Sequence, residues 1–188
     1  MSARAHRLET LRRRSDGRPI LIPAILPDGR LVPMEKMEAH RKGQLHLAVS
    51  VFVFAGPRLL IQRRAGSKYH CAGQWANTCC THPDFAESPD DAAQRRLMEE
   101  LGFAVPLVHR RVVEYRAEVG NGLVEHERVH MFVGEADPNR IVVFPDPDEV
   151  EGTRWIDAEH LRAEIAADPE AFTPWFRIYL ERFPDLKV

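Results

Sequence analysis

The stretch Glu87-Ser88-Pro89-Asp90-Asp91-Ala92-Ala93-Gln94-Arg95-Arg96-Leu97-Met98-Glu99-Glu100-Leu101-Gly102 reads as a helix with a marked start and a marked stop. The Ser88 oxygen can accept from free amides, Pro89 suits the first helical position, and Asp90 and Asp91 put acids at the positive end of the dipole. Gly102 ends the helix. At roughly 100° per residue, Ala93, Leu97 and Leu101 form the apolar stripe, and Glu100 falls about 20° from Ala93. A carboxylate so close to the apolar face is costly to bury alone. Glu100 therefore needs a partner, either an arginine such as Arg96 in an internal salt bridge or a cation. Arg95 and Glu99 lie on the far, solvated side as an i,i+4 pair.

Strands surround this helix. Upstream, Pro27-Asp28-Gly29 between apolar runs predicts a hairpin over 18–33, and Gly56-Pro57 predicts a second one joining 45–55 to 59–63. Downstream, strands are expected at about 111–118, 123–134 and 152–156, with helices starting at Asp157 and at Thr173-Pro174, each behind a capping residue. Strands, a central helix, more strands and terminal helices predict an α+β fold with a mixed sheet and helices packed on it.

The chain has 188 residues, 44% hydrophobic and 29% charged, with a formal net charge of −2. This is the composition of one globular domain able to bury roughly 70% of its unfolded surface without staples. A near-neutral balance gives no electrostatic case for nucleic acid or an anionic membrane. The longest apolar run, 45–55, is about half the roughly 20 residues of a membrane span, and it carries His46 and Ser50. Residues 1–16 hold five arginines and no apolar stretch, so we expect a solvated, frayed end rather than a secretory signal, followed by one catalytic domain over 17–188. The three cysteines Cys71, Cys79 and Cys80 are a poor disulfide framework and fit free thiols in the cytoplasm.

Alternation along 123–134 puts Leu123, Glu125, Glu127, Val129, Met131 and Val133 on one face. Two carboxylates side by side among core residues repel each other and resist desolvation, so a cation sits with them or one of them holds a proton. The other face, with His126, Arg128 and His130, is expected to meet solvent. His40, His46 and His82 are the histidines that could complete a metal site, although a lone histidine on an apolar strand face, as His46 is, is more often a satisfied core residue. If 79–82 is extended, Cys80 and His82 point one way and Cys79 the other. Cys80 then reads either as a buried small hydrophobe or as a reactive thiol.

Together these residues resemble the Nudix superfamily and, within it, type 1 isopentenyl-diphosphate Δ-isomerases. Glu87, Arg95, Leu97, Glu99, Glu100 and Gly102 stand in the register of the Nudix box. Thr81 replaces its first glycine and Arg96 the first glutamate of its helix. A guanidinium at Arg96 holds a diphosphate rather than helping to break it, which separates this pattern from the hydrolases. Leu45-His46-Leu47-Ala48, Arg63-Arg64-Ala65, the run from Asn77 to Pro83, Tyr115-Arg116-Ala117 and Val124-Glu125-His126-Glu127 extend the likeness from Met34 to Trp175, leaving the first 30 residues uncovered.

The resemblance implies a Nudix fold, an α/β/α sandwich whose mixed β-sheet is flanked by helices and carries an additional N-terminal β-hairpin. It implies that His40, His46, His82, Glu125 and Glu127 bind one divalent metal (Mn²⁺, Mg²⁺ or Zn²⁺). Glu100 and the Cys80 carbonyl would hold a second ion, Mg²⁺ arriving with the substrate diphosphate. Lys36, Arg64, Lys68 and Arg96 would clamp that diphosphate. Cys80 and Glu127 would transfer protons on opposite faces of the substrate, with Tyr115 assisting and Trp175 facing the hydrocarbon.

The implied reaction is isopentenyl to dimethylallyl diphosphate through a tertiary carbocation, in isoprenoid biosynthesis. That chemistry needs a dry, acidic site, a thiolate or carboxylate of managed pKa, and a π face that is no nucleophile. The expected partner is a small prenyl diphosphate, with no organic cofactor, no nucleic acid and no membrane, and the chain a monomer or weak homodimer. The alternative is a Nudix hydrolase of a nucleoside or prenyl diphosphate. A silent Nudix-fold binding module is disfavoured because it would not need Cys80, His82, Glu125 and Glu127 together.

Overall fold

The computed structural model describes residues 18–185. The arginine-rich end at 1–16 lies outside the described residues. In chain order the elements are β1 (Leu21–Ile25), β2 (Leu31–Glu35), α1 (Lys36–Lys42), β3 (His46–Ala55), β4 (Arg58–Arg64), β5 (Trp75–Ala76), β6 (Cys79–Thr81), α2 (Pro89–Leu101), β7 (Leu107–Glu118), β8 (Val124–Glu135), β9 (Val150–Asp157), α3 (Ala158–Ala167) and α4 (Pro174–Arg182). One mixed sheet contains all the strands.

β3 organises it. Its sequence HLAVSVFVFA is almost wholly buried, as a strand covered on both faces must be. Along one edge it pairs in parallel with β8, His46 opposite Glu127 and Phe54 opposite Glu135. The other edge is shared in succession by β1, β6 and β4, all antiparallel. β7 pairs with β8 and β9 with β4. The N-terminal hairpin forms as expected, with Gly29 at φ 84° in its turn.

Alternation on β3 divides two cores. Val49, Val51 and Val53 join Leu60, Cys79 and Phe132 beneath Ala92, Ala93, Leu97 and Leu101 of α2. Ala48 and Phe52 join Val129, Met131, Leu59 and Ile61 beneath Trp175, Phe176 and Tyr179 of α4 and Leu161 of α3. Helices thus lie on both faces of the sheet, the expected α/β/α arrangement. Each buried Leu or Phe in these layers contributes on the order of 2 kcal/mol.

α2 has the predicted limits. Ser88 Oγ accepts from Asp91 N, and Gly102 closes the helix in the left-handed region at φ 73°. Three expectations need correction. β7 begins at Leu107 rather than near 111, because irregular pairing between His109 and Arg111 lets the strand resume contact with β8 upstream. The His126, Arg128 and His130 face of β8 is half-buried rather than open, and at Phe132 it enters the α2 core. Thr173 precedes α4 but makes no side-chain cap; its amide instead donates to Trp75 O at 2.9 Å, pinning the segment to the sheet.

Candidate active site

α1 is short, and Glu35 starts it by accepting from the amides of Met37 and Glu38. One turn separates Lys36 from His40, so the helix offers an ammonium at its start and an imidazole below it. His40 Nδ1 meets Lys36 O at 2.6 Å, and His46 Nδ1 meets Gln44 O at 2.7 Å. A backbone carbonyl accepts only, so each Nδ1 carries a proton, and in the neutral ring Nε2 is then the atom left to ligate. Those two Nε2 atoms and Glu125 Oε2 are buried without hydrogen-bond partners among the described residues. Donor atoms of His40, His46, His82 and Glu125 all lie within 4.8 Å of one another.

Three imidazoles and a carboxylate, two of the imidazoles fixed by carbonyls behind them, fit a divalent cation. Burial, reinforced by His82, pushes His46 down to about 3, so it is neutral and ready to coordinate. Burial works against charge on Glu125, but His40, His70 and His82 hold its carboxyl well below the usual range.

Glu127 stands apart from that group of four. Its Oε2 accepts from Tyr115 Oη at 2.6 Å, and its Oε1 is 2.9 Å from His82 Nε2. Tyr115 is its direct cross-strand partner on β7. Burial and the neighbouring Glu125 charge raise its pKa well above the ordinary value, so this member of the pair holds the proton. Cys80 shares the face of Ser50 through the β3/β6 register, whereas Cys79 turns into the α2 core. The Cys80 thiol lies 2.9 Å from Asn77 Oδ1 and 3.5 Å from Ser50 Oγ, which is itself 3.0 Å from Tyr179 Oη. Burial pushes it up to about 12, so before substrate arrives it is a thiol rather than a thiolate.

Cys80, Tyr115, Glu125, Glu127, Trp175 and the four cations Lys36, Arg64, Lys68 and Arg96 all line one cavity of about 630 Å³. Arg64 lies 5.3 Å from the Trp175 ring, which is 3% exposed. Arg96 reaches Glu100 and Glu99 at 2.7 Å and Glu149 at 3.2 Å, and Lys68 makes a very short contact with Glu149. The partner demanded by the helical wheel for Glu100 is thus Arg96, with Gln62 at 3.1 Å as a second donor. Arg95 pairs with Glu99 as expected, and also with Glu87.

Sequence reasoning missed three groups here. Glu149 hides in Pro145-Asp146-Pro147-Asp148-Glu149, an acidic run that reads as a solvated loop. His70 stands alone in an irregular segment, and only the surplus of histidines hinted at it. Tyr69, whose ring lies 5.4 Å from Lys36 Nζ, gave no signal.

Residues 44–176 match the NUDIX domain. An isopentenyl-diphosphate Delta-isomerase of Cereibacter sphaeroides is 56% identical over 163 residues, covering 86% of this chain and 91% of that protein. One of Rhodobacter capsulatus is 53% identical over 167 residues, covering 88% and 94%. Among solved structures, a Deinococcus radiodurans protein superposes with a TM-score of 0.70 at 18% identity, over 86% of this chain and 98% of that one. A MutT NUDIX hydrolase from Burkholderia pseudomallei does so with 0.57 at 25% identity, over 74% and 98%. The domain match and the identity over most of both lengths place the chain in the type 1 isopentenyl-diphosphate Delta-isomerase family of the Nudix superfamily.

Proposed function

We infer that this protein is an isomerase that interconverts isopentenyl diphosphate and dimethylallyl diphosphate. The observation that carries the reading is Arg96: a guanidinium stands where a Nudix hydrolase has a helical glutamate, and it lines the same cavity as Cys80 and Glu127. Lys36, Arg64, Lys68 and Arg96 would bind the diphosphate, leaving the five-carbon chain to lie between the thiol and the carboxyl.

One group donates a proton to the terminal alkene carbon, giving a tertiary cation at the adjacent carbon. The other then removes a proton from the carbon next to the diphosphate-bearing one, and the C–H electron pair becomes the new double bond. No redox change occurs. Burial raises both the Cys80 thiol and the Glu127 carboxyl and so favours their protonated forms; either is equipped as acid, and the partner must ionise to act as base. Tyr115 orients Glu127 through the 2.6 Å bond. Trp175 faces the cation with a π surface that does not trap it. Burial of Glu127, 6% exposed, keeps water from the intermediate.

His40, His46, His82 and Glu125, with Glu127 adjoining, would hold a divalent cation, Mn²⁺, Mg²⁺ or Zn²⁺. When bound, it supplies positive charge that steadies the Glu125 and Glu127 pair. Glu100 with the Cys80 carbonyl would serve a Mg²⁺ carried in with the diphosphate. No organic cofactor is invoked. No described helix is long and apolar enough to cross a membrane, and a small prenyl diphosphate is the partner the site supports. A cytoplasmic setting suits the three free thiols.

The hydrolase alternative is not favoured. Incubating the purified chain with isopentenyl diphosphate and a divalent metal should give dimethylallyl diphosphate without phosphate release, and Cys80→Ala should lose roughly 10²–10⁴-fold in kcat, the range expected for removing a proton-transfer group. Phosphate release by the parent chain, or full turnover by the variant, would overturn the reading.

A further inference from the structure

His70 has no part in the proton transfers above, yet it is 4% exposed and lines the cavity. It sits in the irregular segment after β4, beside Cys71 at φ 50°. Its Nε2 is 2.9 Å from Glu125 Oε1. The other carboxylate oxygen, Oε2, lies 3.1 Å from His40 Nε2 and 3.8 Å from the Nε2 atoms of His46 and His82. The two oxygens of Glu125 are thus divided, one toward His70 and one toward the cluster of ligating atoms.

That approach is a charge contact whose angle falls outside hydrogen-bond geometry, so neither ring nitrogen of His70 has a hydrogen-bond partner among the described residues, and Glu125 Oε1 is the polar atom nearest its Nε2. The ring is walled by Tyr69 and Trp175, both edge-on with centroids at 4.3 and 5.8 Å, and by His40, stacked at 6.0 Å. It has little room to turn away. Its Nε2 faces Glu125 Oε1, and His70 is not among the residues whose donor atoms gather within 4.8 Å. Its place is behind the ligand, not in the ligand set.

We propose that His70 is a positioning residue: its Nε2–H engages Glu125 Oε1 and thereby holds Oε2 toward the cation that His40, His46 and His82 gather. A carboxylate free at both oxygens must be ordered when the ion binds, whereas one tethered at Oε1 presents Oε2 in advance. The inference rests on the metal reading given under Proposed function.

The test is Mn²⁺ binding to the metal-stripped full chain, measured as free Mn²⁺ by its magnetic-resonance signal, for the parent, His70→Phe and His70→Gln. Phenylalanine fills the space without a donor, and glutamine restores an N–H at similar reach. His70→Phe should bind Mn²⁺ roughly 10–100-fold more weakly, the usual loss when a group behind a metal ligand is removed, and His70→Gln should recover most of it. Parental affinity in His70→Phe overturns the proposal, as does a His70→Gln no better than His70→Phe.

If His70→Phe does not fold, His70→Ala carries the same expectation, and adding it to Glu125→Gln should cost little beyond Glu125→Gln alone. Full additivity overturns the proposal. Failure of the parent chain to bind Mn²⁺ at all would overturn the metal reading and the inference with it, an outcome distinct from unaltered affinity in the variants.

Discussion

Lys36 begins α1 at the edge of the cavity, where Lys68 and Arg96 are its cationic neighbours and Glu149 and Glu125 its anionic ones. Loss of solvation, followed by the Lys68 charge, pushes its ammonium down to about 8 from 10.5. A lysine with a lowered pKa is charged below that value and neutral above it, so a diphosphate meets one cation fewer as pH rises through 8. Because kcat/KM reports the free enzyme, it should decline above about pH 8, approaching tenfold per unit. Lys36→Arg should move that limb upward, since guanidinium stays charged. A parental limb that Lys36→Arg leaves in place would assign it to another group. At this scale alternation along one strand was enough to single out the Glu125/Glu127 pair, whereas Arg96 and Cys80 were singled out for the site only through the likeness to the isomerase family. His70 and Glu149 did not stand out, because each acts only through a partner distant in the chain, Glu125 and the pair Lys68 and Arg96.

The elements carry those partners into place, and α2 shows how. Its last carbonyls have no partner within the helix; Phe144 N donates to Leu101 O at 2.9 Å and Asp146 N to Glu100 O at 3.0 Å. The helix end thereby recruits the segment that delivers Glu149 to Arg96 and Lys68. Gly102 permits the approach: at φ 73°, a Cβ there would stand 2.8 Å from Phe144 O and 3.0 Å from Phe144 Cβ. Gly102→Ala adds the left-handed penalty of about 1–2 kcal/mol, and it must also push the Phe144 backbone away. We expect Tm to fall by roughly 2–8 °C, at about 2–4 °C per kcal/mol for a chain of this size. KM for the diphosphate substrate should rise more than kcat falls. A variant matching the parent in both would separate Glu149 placement from the helix end. The boundaries of α2 were legible because a serine cap and a glycine stop act within a few residues. α1, β5 and β6 were not foreseen as elements, since seven, two and three residues cannot declare a periodicity and are held by tertiary pairing.

Across the whole molecule, the cluster at His40, His46, His82 and Glu125 ties α1, β3, the end of β6 and β8 to one point. Period two was enough to place Glu125 and Glu127 on one face, but it takes the parallel pairing of β3 with β8, His46 opposite Glu127, to bring the first histidine to them, and α1 and β6 to bring His40 and His82. No sequence pattern announces that register; it follows from burying both strands between two helical layers. A cation bound there binds the folded chain and not the unfolded one, whose ligands are scattered. At one hundred times its dissociation constant it adds about 2.7 kcal/mol of stability, which at 2–4 °C per kcal/mol is a rise in Tm of roughly 5–10 °C. Scanning calorimetry on chelator-treated chain should therefore show a lower Tm that Mn²⁺ restores in a concentration-dependent way. In His46→Ala the same addition should restore far less, because three donors remain and the lost imidazole was fixed in advance by Gln44 O. An equal Tm rise in His46→Ala and the parent would mean that the ion binds elsewhere, and the convergence on Glu125 would then be a buried polar cluster with no metal to hold.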